Sequence, residues 1–436
     1  MLCKKTVGVF LACLVLVSLL LFPSCGQNES ILPTDGLPQP TDKLTLYLPP
    51  NLIDDFLTHA LALFREDFPD VQIEYKTFEG QDALERITNY QSILATDLIT
   101  GNGPDLVLFH SSDFSDYQKL LRAGHFVNLD DLFTQDADYS TDTFQRAVWD
   151  SGRIDGERLF APLNYSTFVL LSSHEGMQEC GISLQASTTF EEWAAAVVEY
   201  MKDHAGTADA KRLLNVSTYP LFLDRSGVNV LDYNTGQLSI QTEQFRSIME
   251  FFHATYQDYI QEAICPKTFL TEAFADKIRS KEELFQVQDA NLHFLSGILG
   301  QLESDGSVHA ELYPFPVVSG QEPFARPMLC ASIPNSSPNK RNAYELLKLL
   351  LSEEVQEKMT LPVNNAALKN SVSLQGSAFE YQTVYDGLTQ LASKQPLARE
   401  VLEIILDTMT PWFEDRAGYD DCLASLQNKL ELYLHE

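Results

Sequence analysis

Polar residues in loops after predicted strands are the main candidates for ligand chemistry, because recognised catalytic motifs are missing. The chain has no G-x-S-x-G nucleophile elbow, P-loop, H-E-x-x-H pair or G-x-G-x-x-G loop. The nearest approach is Gly101-Asn102-Gly103, where Pro104 and Asp105 replace the rest of a glycine-rich loop. The nine histidines are scattered singly. We therefore expect no catalytic residue, no cofactor and no metal ion.

One acidic segment has part of the spacing of a calcium loop. Asp136, Asp138 and Asp142 occupy alternate or nearby positions, as calcium ligands do. The sixth position is Thr141, where the loop needs glycine, and the twelfth is Ala147, where it needs a bidentate glutamate. We interpret the segment as a solvated loop.

The beginning of the chain has the pattern of a secretion signal. Lys4 and Lys5 precede a largely apolar run over 7–22, and its 16 residues are fewer than the about 20 that span a bilayer. Pro23-Ser24-Cys25 follows and resembles a bacterial lipobox, although Phe22 is bulkier than its usual residue. We expect a signal peptide over 1–24 and a lipid such as palmitate on Cys25; the alternative is a plain signal peptide.

Residues 25–42 are predicted to be a flexible linker carrying that lipid, because they are rich in Gly, Pro and small polar residues. The protein is then exported and held at the outer face of the bacterial cytoplasmic membrane by its lipid alone. The four cysteines beyond the linker contain no C-x-x-C pair, so we expect buried thiols, although export permits disulfides. They are Cys180, Cys265, Cys330 and Cys422.

Composition excludes some partners and indicates two cores. The 61 acidic residues outnumber the 30 basic ones, for a net charge of -31. Phosphate-rich partners would be repelled, so we expect no nucleic acid partner. Residues 43–436 are too many for a single core and suit two domains.

The first part of this body has the pattern of an α/β unit. Leu44, Leu46 and Leu48 alternate as in a strand, and an amphipathic helix follows, beginning near Ile53 and ending before Pro69. Its apolar stripe is Ile53, Phe56, Leu57, Ala60, Leu61 and Phe64. A second strand carries Val71, Ile73 and Tyr75, a helix is predicted over 83–100, and a strand over 105–109. Strand, helix and strand in this order predict a parallel crossover.

Ligands of open parallel sheets bind at the carboxyl ends of the strands. The loops at those ends are polar, which makes their side chains candidate ligand contacts. In the first lobe they are Asn51, Glu79, Gln81, His110 and Ser111.

Two helix starts are predicted further along the chain. Thr189 and Glu192 fit a capping box, which places Trp193 on a buried helix face and not in a ligand site. Ser337 and Pro338 have the pattern of a helix cap followed by proline in the first turn. The buried stripe of that second helix is predicted to be Leu346, Leu347, Leu350 and Leu351.

Several segments, taken in order, resemble the extracellular solute-binding proteins of ABC importers, in the carbohydrate-type (family 1-like) group. The resemblance extends over nearly all of residues 43–436. The segments that carry it are "FREDFPDVQIEY", "GNGPDLVLF", "LLRAGHFVNLDDLF", "IDGERLFAPLNYS", "TTFEEWAAAV", "YPFPVVSG", "SIPNSSPNKRNAYELLKLLLSEEVQEKM" and "LPVNNAAL".

This resemblance implies a two-lobed periplasmic-binding-protein fold of type II, with a mostly parallel, helix-flanked sheet in each lobe. The N-terminal lobe is expected to comprise 43–163 and about 317–352, and the C-terminal lobe 164–316 and about 353–436. The segments around Pro162 and from Pro314 to Pro316 are then hinges.

The resemblance also implies a monomeric receptor that captures a small polar solute, most simply a sugar or oligosaccharide, and delivers it to an ABC permease. Further candidate contacts are Asn164 and Tyr165 at the first crossing, with Tyr219, Asp224 and Arg326 beyond it. None of the three tryptophans lies plainly on a crevice loop. Tyr165 or Tyr219 must therefore stack on a sugar ring, or the ligand is not a sugar.

Two other functions remain open on sequence alone. A sensor or interaction lipoprotein would have the same fold without transport. A hydrolase would need two carboxylates placed around one bond, and the chain is rich in carboxylates.

Overall fold

The computed structural model of the protein describes residues 39, 41–50, 52, 54–111, 117–137, 139–185, 187–207, 212–214, 222–232, 235–256, 283–289, 308–373, 391–393 and 397–435. The strands are β1 Lys43–Tyr47, β2 Gln72–Lys76, β3 Leu106–His110, β4 Arg153–Ile154, β5 Glu157–Arg158, β6 Ala161–Pro162, β7 Tyr165–Ser166, β8 Phe168–Ser173, β9 Arg212–Leu214, β10 Leu231–Asp232, β11 Gln237–Leu238, β12 Glu283–Asp289, β13 Ala310–Pro314, β14 Phe324–Pro327, β15 Leu329–Ser332 and β16 Ala392–Ser393. The helices are α1 Asp55–Asp67, α2 Ala83–Thr100, α3 Tyr117–Arg122, α4 Leu129–Gln135, α5 Arg146–Asp150, α6 His174–Cys180, α7 Phe190–Asp203, α8 Phe222–Arg225, α9 Glu243–Thr255, α10 Lys340–Leu350, α11 Glu353–Gln356, α12 Asn365–Ser373, α13 Arg399–Phe413 and α14 Tyr419–His435. Every one of them belongs to the unit Pro40–Glu436. In the part of the chain so described, no helix has the length and apolarity that crossing a membrane requires.

The first sheet has the strand order β2-β1-β3-β15-β6. Strands β2 and β3 both pair with β1 in parallel, so the predicted crossover is confirmed. Strand β15 pairs antiparallel with β3 and with β6. Because β15 follows β3 by more than 200 residues, all of β4–β14 lie between these two paired strands in the chain.

Helix α1 covers the first sheet with the apolar face that its spacing predicts. The side chains from Phe56 to Phe64 on that face are at most 7% exposed. Burial of each large apolar side chain contributes about 1.5–3 kcal/mol. Asp54 caps the helix, since its Oδ1 accepts a hydrogen bond from the Leu57 N–H at 3.3 Å. Ile53, also predicted on this face, lies outside the described residues.

Strand β2 forms where the alternation of Val71, Ile73 and Tyr75 predicts a strand, but it pairs only with β1 among the described strands. Tyr75 is 50% exposed, so this apolar side chain is not fully buried. An edge strand has a neighbour on one side only, which leaves part of its side-chain surface uncovered.

Asp105 links three parts of the first lobe. Gly101 ends α2 in the left-handed conformation that glycine favours, and the chain then reaches Asp105, which is 3% exposed. Its carboxylate accepts hydrogen bonds from the Thr45 N–H at 2.7 Å, the Ser337 hydroxyl at 2.6 Å and the Asn339 side-chain amide at 3.0 Å. One buried carboxylate thus joins β1 to the start of α10.

The same contacts correct the predicted start of α10. Ser337 is not its N-cap, because the helix begins at Lys340 and Asn339 occupies the capping position. The Ser337 hydroxyl donates to Asp105 and accepts from the Asn339 N–H at 3.0 Å. The stripe predicted for this helix, from Leu346 to Leu351, is confirmed at no more than 1% exposure.

The second sheet has the order β13-β8-β12-β9 and mixes strand directions. Strand β8 pairs antiparallel with β12 and β13, while β12 and β9 are parallel. All six residues of β8 are buried, as expected for a strand with neighbours on both sides.

Trp193 lies in the hydrophobic core that packs on this second sheet. The capping box of Thr189 and Glu192 is formed as predicted, and Trp193 is 0% exposed. Five phenylalanine rings have centroids 5.5–6.0 Å from its ring. They are Phe190, Phe222, Phe251, Phe285 and Phe315. Side chains of α13 and α14 join this core, so the end of the chain belongs to it.

The three cysteines that the structure describes are free thiols. Cys330 and Cys422 are buried as predicted, Cys180 is partly exposed, and Cys265 lies outside the described residues. Burial raises the pKa of the Cys330 thiol, which keeps it protonated and unreactive.

We expect Asp105→Ala to lower the free energy of unfolding by about 3 kcal/mol, because three donors lose a charged acceptor. Denaturant unfolding followed by circular dichroism measures the change. Asp70→Ala, at an exposed position, is the control and is expected to stay within about 0.5 kcal/mol of the parent. Equal effects of the two substitutions would show that the buried carboxylate does not hold β1 to α10.

Candidate functional site

The carboxyl ends of β2, β1 and β3 lie along one edge of the first sheet, because these strands are parallel. Strands β2 and β3 flank β1, which separates them by about 10 Å across the sheet, and β3 extends three residues beyond the level at which β1 and β2 end. Glu79 and Gln81 follow β2 and are exposed, whereas His110 ends β3 and is partly buried. The structure thus brings together three of the predicted contact residues at one sheet edge.

The connection from β2 to α2 holds Glu79 and Gln81 through its backbone. The side-chain amide of Asn89 donates to the Glu79 carbonyl at 2.8 Å, and the Gln81 N–H donates to the Glu85 carboxylate at 2.6 Å. Asp82 caps α2 by accepting from the Glu85 N–H at 2.8 Å. Within the described residues, nothing hydrogen bonds to the side-chain carboxylate of Glu79 or the side-chain amide of Gln81. Both groups are available to a ligand.

Phe78, within this connection, packs against two tyrosine rings. Phe78 is 5% exposed, and its ring centroid is 5.5 Å from that of Tyr47 and 4.8 Å from that of Tyr90. Lys76 donates to the Tyr47 hydroxyl at 3.2 Å and lies 3.5 Å from the Asp97 carboxylate. Burial, then the hydrogen bond to Asp97, raises the pKa of Tyr47. The Lys76 charge is therefore paired with Asp97 and lies over the rings of Tyr47 and Phe78.

Two other predicted contacts, Ser111 and Asn164, hydrogen bond to the chain where it passes between the sheets. The Ser111 N–H donates to the Met328 carbonyl at 2.8 Å, and its hydroxyl donates to the Pro327 carbonyl. The Asn164 Oδ1 accepts from the Leu329 N–H at 2.9 Å, and its Nδ2 donates to the Thr360 carbonyl at 3.3 Å. Both side chains stabilise the crossing.

Tyr165 begins β7, which pairs with β14 in a small sheet of order β16-β14-β7. Its N–H donates to the Leu361 carbonyl at 3.0 Å, and the residue is 2% exposed. A ring so deeply buried presents no open face for stacking in this structure.

Asp224 and Arg326 form a buried ion pair at the same crossing. The Arg326 Nη1 lies 3.0 Å from the Asp224 Oδ2, and the side chains are 11% and 3% exposed. The other carboxylate oxygen of Asp224 accepts from the Leu397 N–H at 3.0 Å. The guanidinium groups of Arg326 and Arg225 lie 4.8 and 4.3 Å from the Phe168 ring centroid. The pair thus joins α8, β14 and the segment before α13.

The remaining predicted residues, Asn51, Tyr219 and the lipidation candidate Cys25, lie outside the described residues, as does the signal sequence. Among the described contacts, Glu79 and Gln81 have unbonded side chains at the sheet edge, whereas Ser111, Asn164 and Asp224 are bonded at the crossing. Arg86, in the first turn of α2, was not among the predicted residues, and the sequence shows it only as a cation shortly after the loop that carries Glu79 and Gln81.

Asp136, the first residue of the acidic segment with partial calcium spacing, bonds to side chains of α10. Asp136 accepts from Lys348 Nζ at 2.8 Å and from the Tyr344 hydroxyl at 3.2 Å. Across the described residues, no three histidine, cysteine or acidic side chains form a metal-binding group.

A sequence model described as "Bacterial extracellular solute-binding protein" matches residues 50–274, which is more than half of the chain. The chain belongs to this family. The chain is therefore a solute-binding protein. No curated protein sequence matches the chain.

Solved structures of similar fold cover most of this solute-binding protein. The sugar-binding protein MalE from Xanthomonas citri is 15% identical, covers 90% of this chain and 97% of its own, and has a TM-score of 0.68. The GacH receptor of Streptomyces glaucescens, solved unliganded and with acarbose, is 14% identical over 90% of this chain and 98% of its own, with a TM-score of 0.59. An ABC substrate-binding protein from Listeria monocytogenes, in complex with cycloalternan, is 12% identical over 90% and 99%, with a TM-score of 0.60. These likenesses confirm the two-lobed periplasmic-binding-protein fold.

We expect Asp224→Asn to lower the free energy of unfolding by about 2–3 kcal/mol, because Arg326 keeps a largely buried charge without its partner. The added substitution Arg326→Met removes that charge, so the double variant is expected to recover at least half of the loss. Denaturant unfolding of both single variants and the double variant measures the coupling. Purely additive effects would contradict a coupled pair.

Proposed function

We propose that this solute-binding protein captures a small, hydroxyl-rich solute, a sugar or oligosaccharide, between its two lobes and delivers it to an ABC permease. The observation that carries the proposal is the fold shared with sugar-binding receptors over about nine-tenths of the chain. Closure of the lobes around the solute would bury it and create the surface that the permease recognises.

The lobes proposed are residues 43–163 with about 317–352, and residues 164–316 with about 353–436. Strand pairing supports the first boundary, since β6 belongs to the first sheet and β8 to the second. The return passes through β14, so the second boundary falls a few residues beyond 317. Helices α13 and α14 support the assignment of the C-terminal residues to the second lobe.

Glu79 and Gln81 are the best-supported contacts in the first lobe. A carboxylate accepts hydrogen bonds from sugar hydroxyls, and a side-chain amide both donates and accepts. Their backbone is held by α2, so little ordering is needed when a ligand binds. His110 at the end of β3 completes this side of the crevice.

We further propose an exported monomer that is anchored by a lipid on Cys25 after removal of residues 1–24. The apolar leader and the cysteine behind it support this proposal. Membership of an extracellular family supports export.

A binding role without catalysis is favoured over a hydrolase. A glycosidase needs one carboxyl group free to protonate its leaving group and a second free to attack or to activate water. Asp224 has hydrogen bonds to both oxygens, from Arg326 and the Leu397 N–H, so it is not free for either role.

A calorimetric titration of the mature protein with neutral oligosaccharides tests this function. We expect binding, and we expect Glu79→Gln to weaken it about tenfold because one charged acceptor is lost. Glu66→Gln, at an exposed position on α1, is the control and should leave affinity unchanged. Mass spectrometry should find the sugar intact after incubation. Hydrolysis would favour the enzyme, and no binding of any saccharide would reject the proposal.

A further inference from the structure

Arg86 is an arginine without a protein partner at the edge of the crevice. It occupies the first turn of α2 and is partly buried. Its Nε atom is fully buried and forms no hydrogen bond. Among the residues that the structure describes, none forms an ion pair or hydrogen bond with the guanidinium. Its terminal nitrogens are therefore left to solvent.

Two other arginines with largely buried side chains, Arg158 and Arg326, have carboxylate partners. Arg158 lies 2.8 Å from Asp130, and Arg326 lies 3.0 Å from Asp224. Buried polar groups are nearly always hydrogen bonded, because leaving one unpaired costs stability. In a chain with 61 acidic residues, an arginine without a partner needs an explanation.

The Arg86 side chain packs directly against the loop that carries the proposed contacts. A Cβ atom added to Gly80 would lie 2.7 Å from the Arg86 backbone nitrogen and 3.0 Å from its Cγ. Gly80 lies between Glu79 and Gln81, so the arginine side chain begins beside both. Only glycine allows this approach.

Two acidic side chains close to Arg86 in sequence are already engaged elsewhere. Asp82 accepts from the Glu85 N–H at 2.8 Å, and the Glu85 carboxylate accepts from the Gln81 N–H at 2.6 Å. Local geometry thus leaves the guanidinium unpaired although carboxylates are close in sequence.

We propose that Arg86 binds the solute, with its guanidinium donating to hydroxyl oxygens while the Glu79 carboxylate accepts from hydroxyl hydrogens. This inference rests on the proposed function and narrows its ligand class. Glu79, Asp82 and Glu85 outweigh the one positive charge of Arg86, so an anionic solute is repelled. The crevice therefore selects neutral sugars over uronic or phosphorylated ones.

The first test needs no ligand. Arg86→Met keeps the side-chain stem as far as the position of Nε and removes the buried unpaired nitrogen, so the ligand-free variant should melt about 2 °C higher than the parent. Arg65→Met, at an exposed position on α1, is the control and should stay within about 1 °C. A lower melting temperature for Arg86→Met would show that the arginine serves the fold, and would overturn the inference.

The second test uses calorimetry with maltotriose, cellotriose, xylotriose and trigalacturonic acid as probes. Arg86→Met should bind the best neutral trisaccharide at least tenfold more weakly, whereas Arg65→Met should stay within twofold. Unchanged affinity in Arg86→Met would overturn the assignment, and preference for trigalacturonic acid would overturn the charge selection. If the parent protein binds none of the four sugars, the proposed function is at fault, and the melting comparison still decides whether Arg86 serves the fold.

Discussion

The side-chain amide of Asn164 ties together three segments of chain where the two sheets meet. The side-chain oxygen accepts from the Leu329 N–H, and the side-chain nitrogen donates to the Thr360 carbonyl. The main-chain carbonyl of Asn164 accepts from the Met328 N–H at 3.0 Å. An amide suits this position because it donates and accepts at once. The contact lies next to the pairing of β6 with β15, the two strands that complete the first sheet.

Polar side chains near the crevice therefore fall into two groups: those bonded to the protein and those whose functional groups are unbonded. At the crossing, the polar groups of Ser111, Asn164 and Asp224 are bonded to the protein, because a buried polar group without a partner is costly. At the open edge, Glu79 and Gln81 are held by their backbone and leave their functional groups to solvent. Unbonded polar groups at the edge of the crevice are what a solute receptor requires, since its ligand must supply the missing partners.

Local patterns predicted the helices and strands, but they did not predict the hydrogen-bond partners of the polar side chains. The stripe on α1 and the capping box before Trp193 depend on neighbours three or four residues apart, which a sequence displays directly. Ser337 shows the limit of such patterns. It has the cap pattern, but its hydroxyl bonds to Asp105, more than 200 residues away, and α10 begins three residues later at Lys340. A hydrogen-bond partner so distant in sequence competes with the local one and cannot be predicted from the spacing of residues.

Sequence alone was enough for the α/β class, the first crossover and the family resemblance, because each rests on short-range periodicity or on the order of segments. Tertiary structure decided which polar residues are open to a ligand. Glu79 and Asp224 are both single acidic residues among many, yet one carboxylate is unbonded and exposed while the other is 3% exposed and paired with Arg326. Arg86 was overlooked for the same reason. Whether a charged group has a partner depends on distances between atoms of different segments, and those distances exist only once the chain has folded.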